Sequence, residues 1–466
     1  MWVTLMGASL TAKHPGTTTE SGWICGAMRD RNGSCSVVFE DRTAFLRYCP
    51  RSPMTKSTPQ TSFPKNDIKI LLLENVHESA HDIFRGQGFS IEALPRALKE
   101  DELVARLSEG VHILGIRSKT QVSRRALEAG KRLLSVGAFC IGTNQIDLDA
   151  AKQCGVPVFN APFSNTRSVA ELVLCEVVML ARQLGDRSRE VHEGKWRKVA
   201  TSSFEVRGKT LGIVGYGHIG SQVGVLAEAI GMRVISYDIR PTLPMGNNKA
   251  VGSLDELLAG SDFVTLHVPE TPQTKNMIGE TELAQMRDGA YLMNLSRGTV
   301  VDLDALAKAV RAKKLGGAAL DVYPEEPESN SDDFTSVMRG LPNVVLTPHI
   351  GGSTLEAQEA IGREVANALT KYTNTGATAS AVNFPHVELA PSSGTHRILN
   401  VHKNVPGVLR DINRLVSDRN ANVLGQLLAT DPQIGYLVMD LDKEVANDVR
   451  HAIAALDASI KTRILY

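Results

Sequence analysis

A glycine-rich turn between two apolar runs, GYGHIG at residues 215–220, constrains the fold of this chain more than any other feature. The run before it predicts a strand, the residues after it have the spacing of an amphipathic helix, and the second run ends at Asp238. Strand, glycine turn, helix, strand and acid in this order predict a dinucleotide-binding unit. In such a unit Gly215 permits the tight turn, Gly217 lets the backbone approach a pyrophosphate, and Gly220 lets helix and strand pack closely.

The helix and the second strand of this unit predict which helix residues are buried and which cofactor binds. Asp238 lies where a carboxylate accepts hydrogen bonds from the ribose of an adenine nucleotide, which favours NAD over NADP. Arg240, two residues further on, keeps recognition of a 2′-phosphate open. The helix is predicted to bury four apolar residues on one face, namely Ile219, Val223, Leu226 and Ile230.

The composition argues against several classes of partner. Lysine plus arginine and aspartate plus glutamate both number 51, so the chain has no net field to attract nucleic acid or an anionic membrane. Apolar stretches such as residues 68–73 are far too short to cross a bilayer. The six cysteines form no CxxC pair, which is typical of reduced thiols in the cytoplasm. We therefore expect a soluble cytoplasmic protein without nucleic-acid or membrane partners.

The pattern along the chain predicts several regions. Residues 1–66 are rich in Ser, Thr, Gly and Pro without a sustained period, and we expect them to be disordered or loosely attached. From residue 67 strand-like and helical patterns alternate, which predicts a parallel α/β domain, and the chain crosses into the next domain within residues 160–171. Residues 376–395 have the composition of a linker, and residues 396–466 have the order βαββαβ of a ferredoxin-like unit.

Polar residues recur where the strands of the second domain end. Ser296 and Arg297 follow one predicted strand, Asp321 follows another, and His349 a third. The carboxyl ends of parallel strands meet at one crevice, where ligands of open α/β sheets bind. Each residue alone could be a capping or surface residue, but together they predict an active site.

These residue types match the oxidation of a hydroxyl group by a nicotinamide cofactor. His349 is the natural base for the hydroxyl proton, because its ordinary pKa lies close to neutral. Arg297 can hold a substrate carboxylate through two hydrogen bonds. Either Glu325 or Glu326 could orient the imidazole, and the residues alone do not decide between them.

Residues 77–81, HESAH, match the HExxH zinc motif in form. The motif opens the first helix of an ordinary strand–helix unit, and neither a third ligand nor a cleft accompanies it. We therefore predict no metal site.

Four motifs together resemble the D-isomer-specific 2-hydroxyacid dehydrogenases: GYGHIG at 215–220, NLSRGTVVD at 294–302, LDVYPEEP at 320–327 and TPHIGG at 347–352. The resemblance covers residues 68–466. It implies two doubly wound parallel-sheet α/β domains, one for the substrate and a Rossmann domain for NAD, followed by a C-terminal ferredoxin-like ACT domain.

The resemblance also implies residue roles and domain limits. It makes Arg297, Glu326 and His349 the catalytic residues, which decides between the two glutamates. The substrate domain becomes discontinuous, formed by residues 67–164 and 348–375, and the NAD domain spans residues 165–347. The implied cofactor contacts, including those of the glycine turn, are Gly215, Gly217, His218, Ile219, Gly220, Asp238, Leu295, Ser296, Arg297, Asp321, His349, Ile350, Gly351 and Gly352.

The similarity is greatest to the members of this family that act on a phosphorylated substrate. It implies oxidation of 3-phospho-D-glycerate to 3-phosphohydroxypyruvate, the first step of L-serine biosynthesis, by a homotetramer that L-serine inhibits at the ACT domain. The implied contacts to the substrate are Arg117, Ser118 and Lys198. The implied contacts to serine, at an interface between two subunits, are His402, Asn404 and Asn422.

Two alternatives stay open at this point. One is another D-2-hydroxyacid dehydrogenase, acting on 2-oxoglutarate, glyoxylate or hydroxypyruvate; Arg117 and the C-terminal unit argue against a plain short-acid reductase. The other is an NAD-sensing protein resembling a corepressor, which the serine-type C-terminal unit disfavours.

Overall fold

The computed structural model describes residues 26–29, 35–38, 64–327 and 332–465. Its contacts divide the chain into two units, residues 1–58 and residues 59–466. In the first unit, β1 (Gly26–Arg29) pairs antiparallel with β2 (Cys35–Val38). The rest of residues 1–63, for which we predict a disordered or loosely attached extension, lies outside the described residues.

Within the described residues, five parallel strands form the sheet of the first α/β domain, in the order β4-β3-β5-β6-β7. The strands are β3 (Lys69–Leu73), β4 (Ser90–Leu94), β5 (Ile113–Ile116), β6 (Ser135–Ala138) and β7 (Val158–Phe159). The helices that alternate with them are α1 (Glu78–Gly86), α2 (Glu100–Ser108), α3 (Arg124–Ala129) and α4 (Leu148–Gln153). Strands β3 and β5, in the interior of the sheet, are buried on both faces and therefore read as continuous apolar runs, whereas the edge strand β4 is largely exposed.

A second parallel sheet, of seven strands in the described part of the chain, has the order β10-β9-β8-β11-β12-β13-β14. Its strands are β8 (Thr210–Val214), β9 (Arg233–Tyr237), β10 (Lys249–Ala250), β11 (Phe263–Leu266), β12 (Ala290–Asn294), β13 (Leu315–Leu320) and β14 (Val344–Leu346). Its helices are α5 (Thr166–Arg182), α6 (Leu184–His192), α7 (His218–Ala229), α8 (Leu254–Gly260), α9 (Glu280–Gln285) and α10 (Leu303–Arg311). The strand order reverses between β8 and β11, which opens a ligand crevice at their carboxyl ends.

The buried face of the helix after the glycine turn overlaps the predicted face but is centred on small residues. The buried residues of α7 are Gly220, Val223, Gly224 and Ala227. Of the four apolar residues predicted to be buried, only Val223 is fully buried, and Ile230 is exposed. Ile219 and Leu226 are partly buried and pack against the same core, so the predicted face is wrong only for Ile230. The small residues Gly220, Gly224 and Ala227 let α7 lie close to the sheet.

The chain returns to the first domain after His349. The long helix α11 (Leu355–Thr375) packs against α1 and β6 of that domain. It buries Ile361, Val365 and Leu369 in the same core as the β3 side chains. The chain segments before and after the second sheet therefore form one domain together.

The C-terminal unit has an antiparallel sheet in the order β16-β17-β15-β18. Its strands are β15 (Thr395–Lys403), β16 (Val423–Thr430), β17 (Ile434–Asp442) and β18 (Ser459–Leu465), and its helices are α12 (Val408–Ser417) and α13 (Ala446–Ala454). Both helices pack on one face of the sheet. This arrangement confirms the predicted ferredoxin-like fold.

The other face of this sheet packs against the first domain. Leu399, Val401 and Tyr436 share one apolar core with Phe159 and Tyr372. Burial of these apolar side chains away from water is the main force that holds the two parts together. The C-terminal unit is therefore docked on the first domain.

The segment between them is packed over its first half, although its composition is that of a linker. Ala381 forms a bridge with Phe159 at the edge of the first sheet. The Asn383 side chain accepts a hydrogen bond from the Val158 amide at 2.8 Å and donates one to the Val156 carbonyl at 3.1 Å. These contacts depend on distant residues, so local composition does not reveal them.

No helix among the described residues has the length and apolar character needed to cross a bilayer.

Candidate active site

The glycine turn has the geometry of a phosphate cradle. Gly215 has φ +89°, and a Cβ there would lie 2.4 Å from the His267 carbonyl oxygen. A Cβ on Gly220 would lie 2.2 Å from the Gly215 carbonyl oxygen, so the start of α7 must lie close to the turn. A Cβ on Gly217 would have no neighbour within 4 Å. This open space lies at the beginning of α7, where backbone N–H groups favour an anion.

Asp238 follows β9 and is tied to the same turn. Its Oδ2 accepts a hydrogen bond from the Tyr216 amide at 2.8 Å, and its Oδ1 accepts one from the Arg240 amide at 3.0 Å. On the opposite side of the turn, the His218 ring stands 4.1 Å from the Phe163 ring, centroid to centroid. The carboxylate is therefore positioned by backbone amides beside the predicted adenine-ribose site.

Asn294, a residue that the sequence analysis missed, shapes the turn that carries Arg297. Its buried side chain accepts hydrogen bonds from the amide and the hydroxyl of Ser296, at 3.1 and 2.8 Å. It also donates to the Arg297 carbonyl at 2.9 Å. A Cβ on Gly298 would lie 1.9 Å from the Tyr323 carbonyl carbon, so only glycine fits there. The turn between β12 and the next helix is thus fixed on both sides of Arg297, while Leu295 and Ser296 are buried.

His349 and Glu326 form the central pair of the site. His349 Nδ1 lies 2.8 Å from Glu326 Oε2 and 3.1 Å from Oε1, with 53% of the histidine side chain and 35% of the glutamate side chain exposed. The hydrogen bond that Glu326 accepts from the imidazole raises the pKa of His349 above its ordinary value, although partial burial and the charge of Arg297 act in the opposite direction. Burial alone would raise the pKa of Glu326, but the hydrogen bond and charge of His349 bring it below its ordinary value.

Asp321 holds the loop on which His349 lies. His349 has φ +52°, a left-handed conformation that costs a residue with a Cβ about 1 kcal/mol or more. The buried Asp321 carboxylate accepts hydrogen bonds from the Ile350 and Gly351 amides, both at 2.8 Å, and from the Thr347 hydroxyl at 2.6 Å. Both carboxylate oxygens are therefore engaged by the loop, and a contact from Asp321 to the cofactor stays a prediction.

The rest of this loop is closely packed. A Cβ on Gly352 would lie 2.5 Å from the side-chain nitrogen of Asn165, so a larger residue there would displace the Asn165 side chain. Ile350, by contrast, has an exposed side chain. The predicted cofactor contacts of this loop thus lie on a backbone with little freedom.

Glu176 is a second residue that the sequence analysis missed. It projects from α5, is fully buried, and neither carboxyl oxygen has a hydrogen-bond partner. Burial, and then the charge of Asp321, raise the pKa of Glu176 to about 8. The Glu176 side chain is therefore largely uncharged at neutral pH. It lies near Asp321, which holds the loop of His349.

The residues predicted to contact the substrate lie in two different parts of the chain. Arg117 is half-buried and Ser118 exposed, both directly after β5. A Cβ on Gly142, in the neighbouring loop, would lie 3.5 Å from Nη2 of Arg297, so the first domain reaches this arginine. Lys198 lies in an exposed segment after α6, and no hydrogen bond or ion pair among the described residues connects it with Arg297, Glu326 or His349.

Comparison with known families identifies two segments of the chain. Residues 174–351 match the model of the D-isomer specific 2-hydroxyacid dehydrogenase NAD-binding domain. Residues 398–461 match that of the AHAS small subunit-like ACT domain.

Curated relatives match nearly over their whole length. A D-3-phosphoglycerate dehydrogenase of Dictyostelium discoideum is 54% identical over 408 residues, which are 88% of this chain and 100% of the relative. One of Escherichia coli strain K12 is 49% identical over 409 residues, 87% of this chain and 100% of the relative. The chain belongs to the D-3-phosphoglycerate dehydrogenases. It is therefore an NAD-dependent oxidoreductase of the 2-hydroxyacid dehydrogenase family.

Solved structures agree with this fold. The D-lactate dehydrogenase of Aquifex aeolicus, complexed with NAD and lactic acid, has a TM-score of 0.60 at 28% identity, covering 68% of this chain and 99% of that chain. For a D-3-phosphoglycerate dehydrogenase, the residues of the glycine turn fit NAD. The open space at Gly217 and the amide-held carboxylate of Asp238 would receive the pyrophosphate and the ribose.

The predicted serine contacts of this D-3-phosphoglycerate dehydrogenase do not meet within one chain. Asn404 follows β15, whereas Asn422 precedes β16, and these two strands run in the same direction. The strand registers separate the two residues by roughly 25 Å, at about 3.3 Å per residue. His402 is buried and its Nδ1 lies 2.9 Å from the Asn400 side-chain oxygen, while the Asn404 side chain donates to the Asp431 carbonyl at 2.7 Å.

Proposed function

We propose that this protein oxidises 3-phospho-D-glycerate to 3-phosphohydroxypyruvate with NAD, in the first step of L-serine biosynthesis. The observation that carries the proposal is the His349–Glu326 pair, joined at 2.8 Å beside the turn that presents Arg297. A base, its carboxylate partner and a guanidinium are the groups that oxidation of a 2-hydroxy acid requires. The names of the curated relatives support this substrate.

The catalytic roles follow from the geometry. Glu326 makes His349 a stronger base by raising its pKa, and His349 Nε2 is left to take the proton of the C2 hydroxyl. Arg297 holds the substrate carboxylate and attracts the C2 oxygen as the carbonyl forms. Bound NAD would accept the hydride from C2. Asp321 keeps the loop that carries His349 in place by accepting hydrogen bonds from the Ile350 and Gly351 amides.

The phosphate of the substrate is bound from the first domain in this proposal. Arg117 and Ser118 lie at the carboxyl end of β5, on the side from which Gly142 reaches Arg297. A guanidinium can donate two hydrogen bonds to a phosphate. Lys198 completes the site when the exposed segment that carries it, or the same segment of a second copy, closes over the substrate.

Serine acts at the ACT domain, and the separation of Asn404 from Asn422 supports a site between two copies. The edge strand β16 has unpaired backbone groups and exposes Leu424 and Leu427. A second copy can pair with such an edge about a two-fold axis, which brings Asn404 of one chain to Asn422 of the other. Feedback by the pathway product then requires an oligomer.

A separate apolar surface supports a tetramer rather than a dimer. Trp196 is 84% exposed, and Val191 and Val199 nearby are also exposed. This surface belongs to the NAD domain and not to the ACT domain, so two different two-fold contacts are available. We place the homotetramer in the cytoplasm, since its cysteines at positions 140, 154 and 175 are free.

The initial rate of NADH formation tests the proposal. We expect NADH from 3-phosphoglycerate and NAD, and suppression of that rate by millimolar L-serine. NADH oxidation with glyoxylate or 2-oxoglutarate, without turnover of 3-phosphoglycerate, would contradict the substrate assignment. Turnover that serine does not change would contradict the proposed regulation alone.

An arginine pair provides the matched control. Arg297→Ala should raise the KM for 3-phosphoglycerate and lower kcat, because the carboxylate loses its bidentate partner. Arg287→Ala removes the same side chain from an exposed position that contacts the Ala259 carbonyl, and it should leave both constants unchanged. Equal effects of the two substitutions would argue against the role of Arg297.

A further inference from the structure

Glu74 occupies an unusual backbone position at the carboxyl end of β3. Its φ is +64°, and that of the following Asn75 is +53°. Left-handed conformations are unfavourable for residues with a Cβ, and two in succession need support from neighbouring structure. The Glu74 side chain is also buried. The position therefore directs a carboxylate into the protein at the end of a strand, beside the neighbouring strand β5.

Both oxygens of this carboxylate bind the segment that follows β5. Oε2 accepts a hydrogen bond from the Lys119 amide at 3.0 Å, and Oε1 accepts one from the Thr120 amide at 2.7 Å. These amides belong to consecutive residues, so the carboxylate fixes the backbone at two points. Charge-assisted hydrogen bonds of this kind are stronger than those between neutral groups.

Gln145 and Cys140 hold the other end of the same short segment. The Gln145 side-chain amide donates to the Arg117 carbonyl at 2.6 Å, and the Cys140 thiol lies 3.1 Å from the Gly142 carbonyl and 3.5 Å from the Arg117 carbonyl. Burial raises the pKa of Cys140 to about 11, which keeps the thiol protonated as a donor. Residues 117–119 are thus held through a carbonyl at one end and amides at the other.

The hydrogen bonds of Glu74 and Gln145 to this segment form what we call the clamp. The clamp also connects residues 117–119 with Arg297. Gln145 also donates to the Gly142 carbonyl at 3.3 Å, and Gly142 is the residue that approaches the Arg297 guanidinium. The side chains of Ser118 and Lys119 are exposed, and that of Arg117 is half-buried. The distance between these groups and Arg297 is therefore set by Glu74 and Gln145, neither of which has a role in the proposed chemistry.

We propose that Glu74 and Gln145 are positioning residues that set the preference for a phosphorylated substrate. The inference rests on the proposed function, because it takes residues 117–119 as the phosphate-binding segment. By holding this segment at a fixed distance from Arg297, the clamp matches the spacing between the phosphate and the carboxylate of a three-carbon acid. A loosened clamp weakens phosphate binding more than it weakens the chemistry at C2.

The test compares two substrates that differ only in the phosphate. We would measure reduction of 3-phosphohydroxypyruvate and of hydroxypyruvate by NADH for the full chain and for Glu74→Gln. The substitution replaces one acceptor by an amino group that faces a backbone N–H. We expect the ratio of the two kcat/KM values to fall about tenfold, through a higher KM for the phosphorylated substrate, because hydrogen bonds to charged groups have about this effect. Glu128→Gln, at an exposed site on α3, is the matched control and should not change the ratio.

The outcomes separate the inference from the function on which it rests. A wild-type protein without preference for the phosphorylated substrate would overturn the proposed function. A wild-type preference that survives Glu74→Gln, or equal losses on both substrates, would overturn the positioning role. If Glu74→Gln lowers the melting temperature too far for kinetics, Gln145→Glu decides the question, because it places a carboxylate against the Arg117 carbonyl and should reduce the same ratio.

Discussion

The catalytic crevice and the predicted effector site differ in how much of each site one chain provides. His349 and Glu326 meet at 2.8 Å within a single chain, and Arg297 projects from the next strand end. Asn404 and Asn422 lie at opposite ends of the ACT sheet. The fold of one chain therefore brings the predicted catalytic residues together, whereas the predicted effector residues stay apart within one chain.

The cause lies in whether a residue follows or precedes its strand. In a parallel sheet every strand ends at the same edge, so residues that follow different strands converge without any further contact. In the ACT sheet β15 and β16 also run the same way, but one effector residue follows its strand and the other precedes its strand. The comparison suggests that substitutions in the crevice abolish the chemistry of their own subunit, while those in the ACT domain act across an interface.

The largest effect should come from His349→Ala. Removal of the base should lower kcat by roughly a hundredfold to ten-thousandfold while NADH binding stays nearly intact. Steady-state kinetics and NADH fluorescence titration measure the two quantities. His386→Ala, at an exposed site, is the control. Equal losses of turnover and NADH affinity would mean that His349 only supports its loop.

Glu326→Gln should have a smaller effect that depends on pH. Loss of the carboxylate lowers the pKa of His349, so the acidic limb of kcat/KM for oxidation should move to lower pH. The weaker base should reduce kcat about tenfold to a hundredfold. A pH profile of the oxidation rate measures both changes. Glu325→Gln changes the neighbouring residue, which does not contact the imidazole, and a matching shift there would refute the assignment.

Co-expression of two variants with substitutions in the ACT domain tests the predicted serine site. Asn404→Ala and Asn422→Ala should each raise the serine concentration for half-inhibition about tenfold, since each removes hydrogen bonds to a charged ligand. Their basal activities should remain. In a hybrid of the two variants, one of the two sites at each mixed interface has both asparagines intact. Serine inhibition should therefore return on co-expression, and its absence would place the site within one chain.

The elements of the fold were predictable from the sequence because their signals are local. The apolar runs, the glycine turn and the βαββαβ order depend on residues that are neighbours in the chain. The convergence of Arg297, Asp321 and His349 follows from the parallel strand ends alone. The glutamate could not be chosen from the residues, since Glu325 and Glu326 stand side by side; the 2.8 Å contact belongs to Glu326.

Other features depend on contacts that no local pattern encodes. Glu74 binds amides 45 and 46 residues away, and Glu176 lies behind Asp321 only because α5 packs on the second sheet. The left-handed conformation of His349 is imposed by the hydrogen bonds of Asp321 to the following amides. Segment 376–395 has a linker composition, yet its first half is held by the edge of β7.

The smallest expected effect lies at the contact between the first domain and the ACT domain. Lys152 on α4 forms an ion pair with Asp431 at 2.9 Å, with 18% and 22% of the side chains exposed. The Asp431 carboxylate also accepts hydrogen bonds from the Gln433 and Ile434 amides, and the Asp431 carbonyl accepts the one from Asn404. A ligand that withdraws the Asn404 side chain therefore disturbs a turn that is anchored to the first domain.

Lys152→Met should weaken this link without touching either site. Ion pairs near the surface contribute up to about 1 kcal/mol, so the serine concentration for half-inhibition should change by a factor of about two to five. Basal kcat and KM should stay within about twofold, a smaller change than the effect on inhibition. Lys131→Met, at an exposed position in the same domain, is the control. Inhibition by serine that is identical in Lys152→Met, Lys131→Met and the wild type would show that the signal does not pass through this turn. The connection between the effector and the crevice would then have to run through other contacts of the two domains, such as the shared apolar core around Tyr436 and Tyr372.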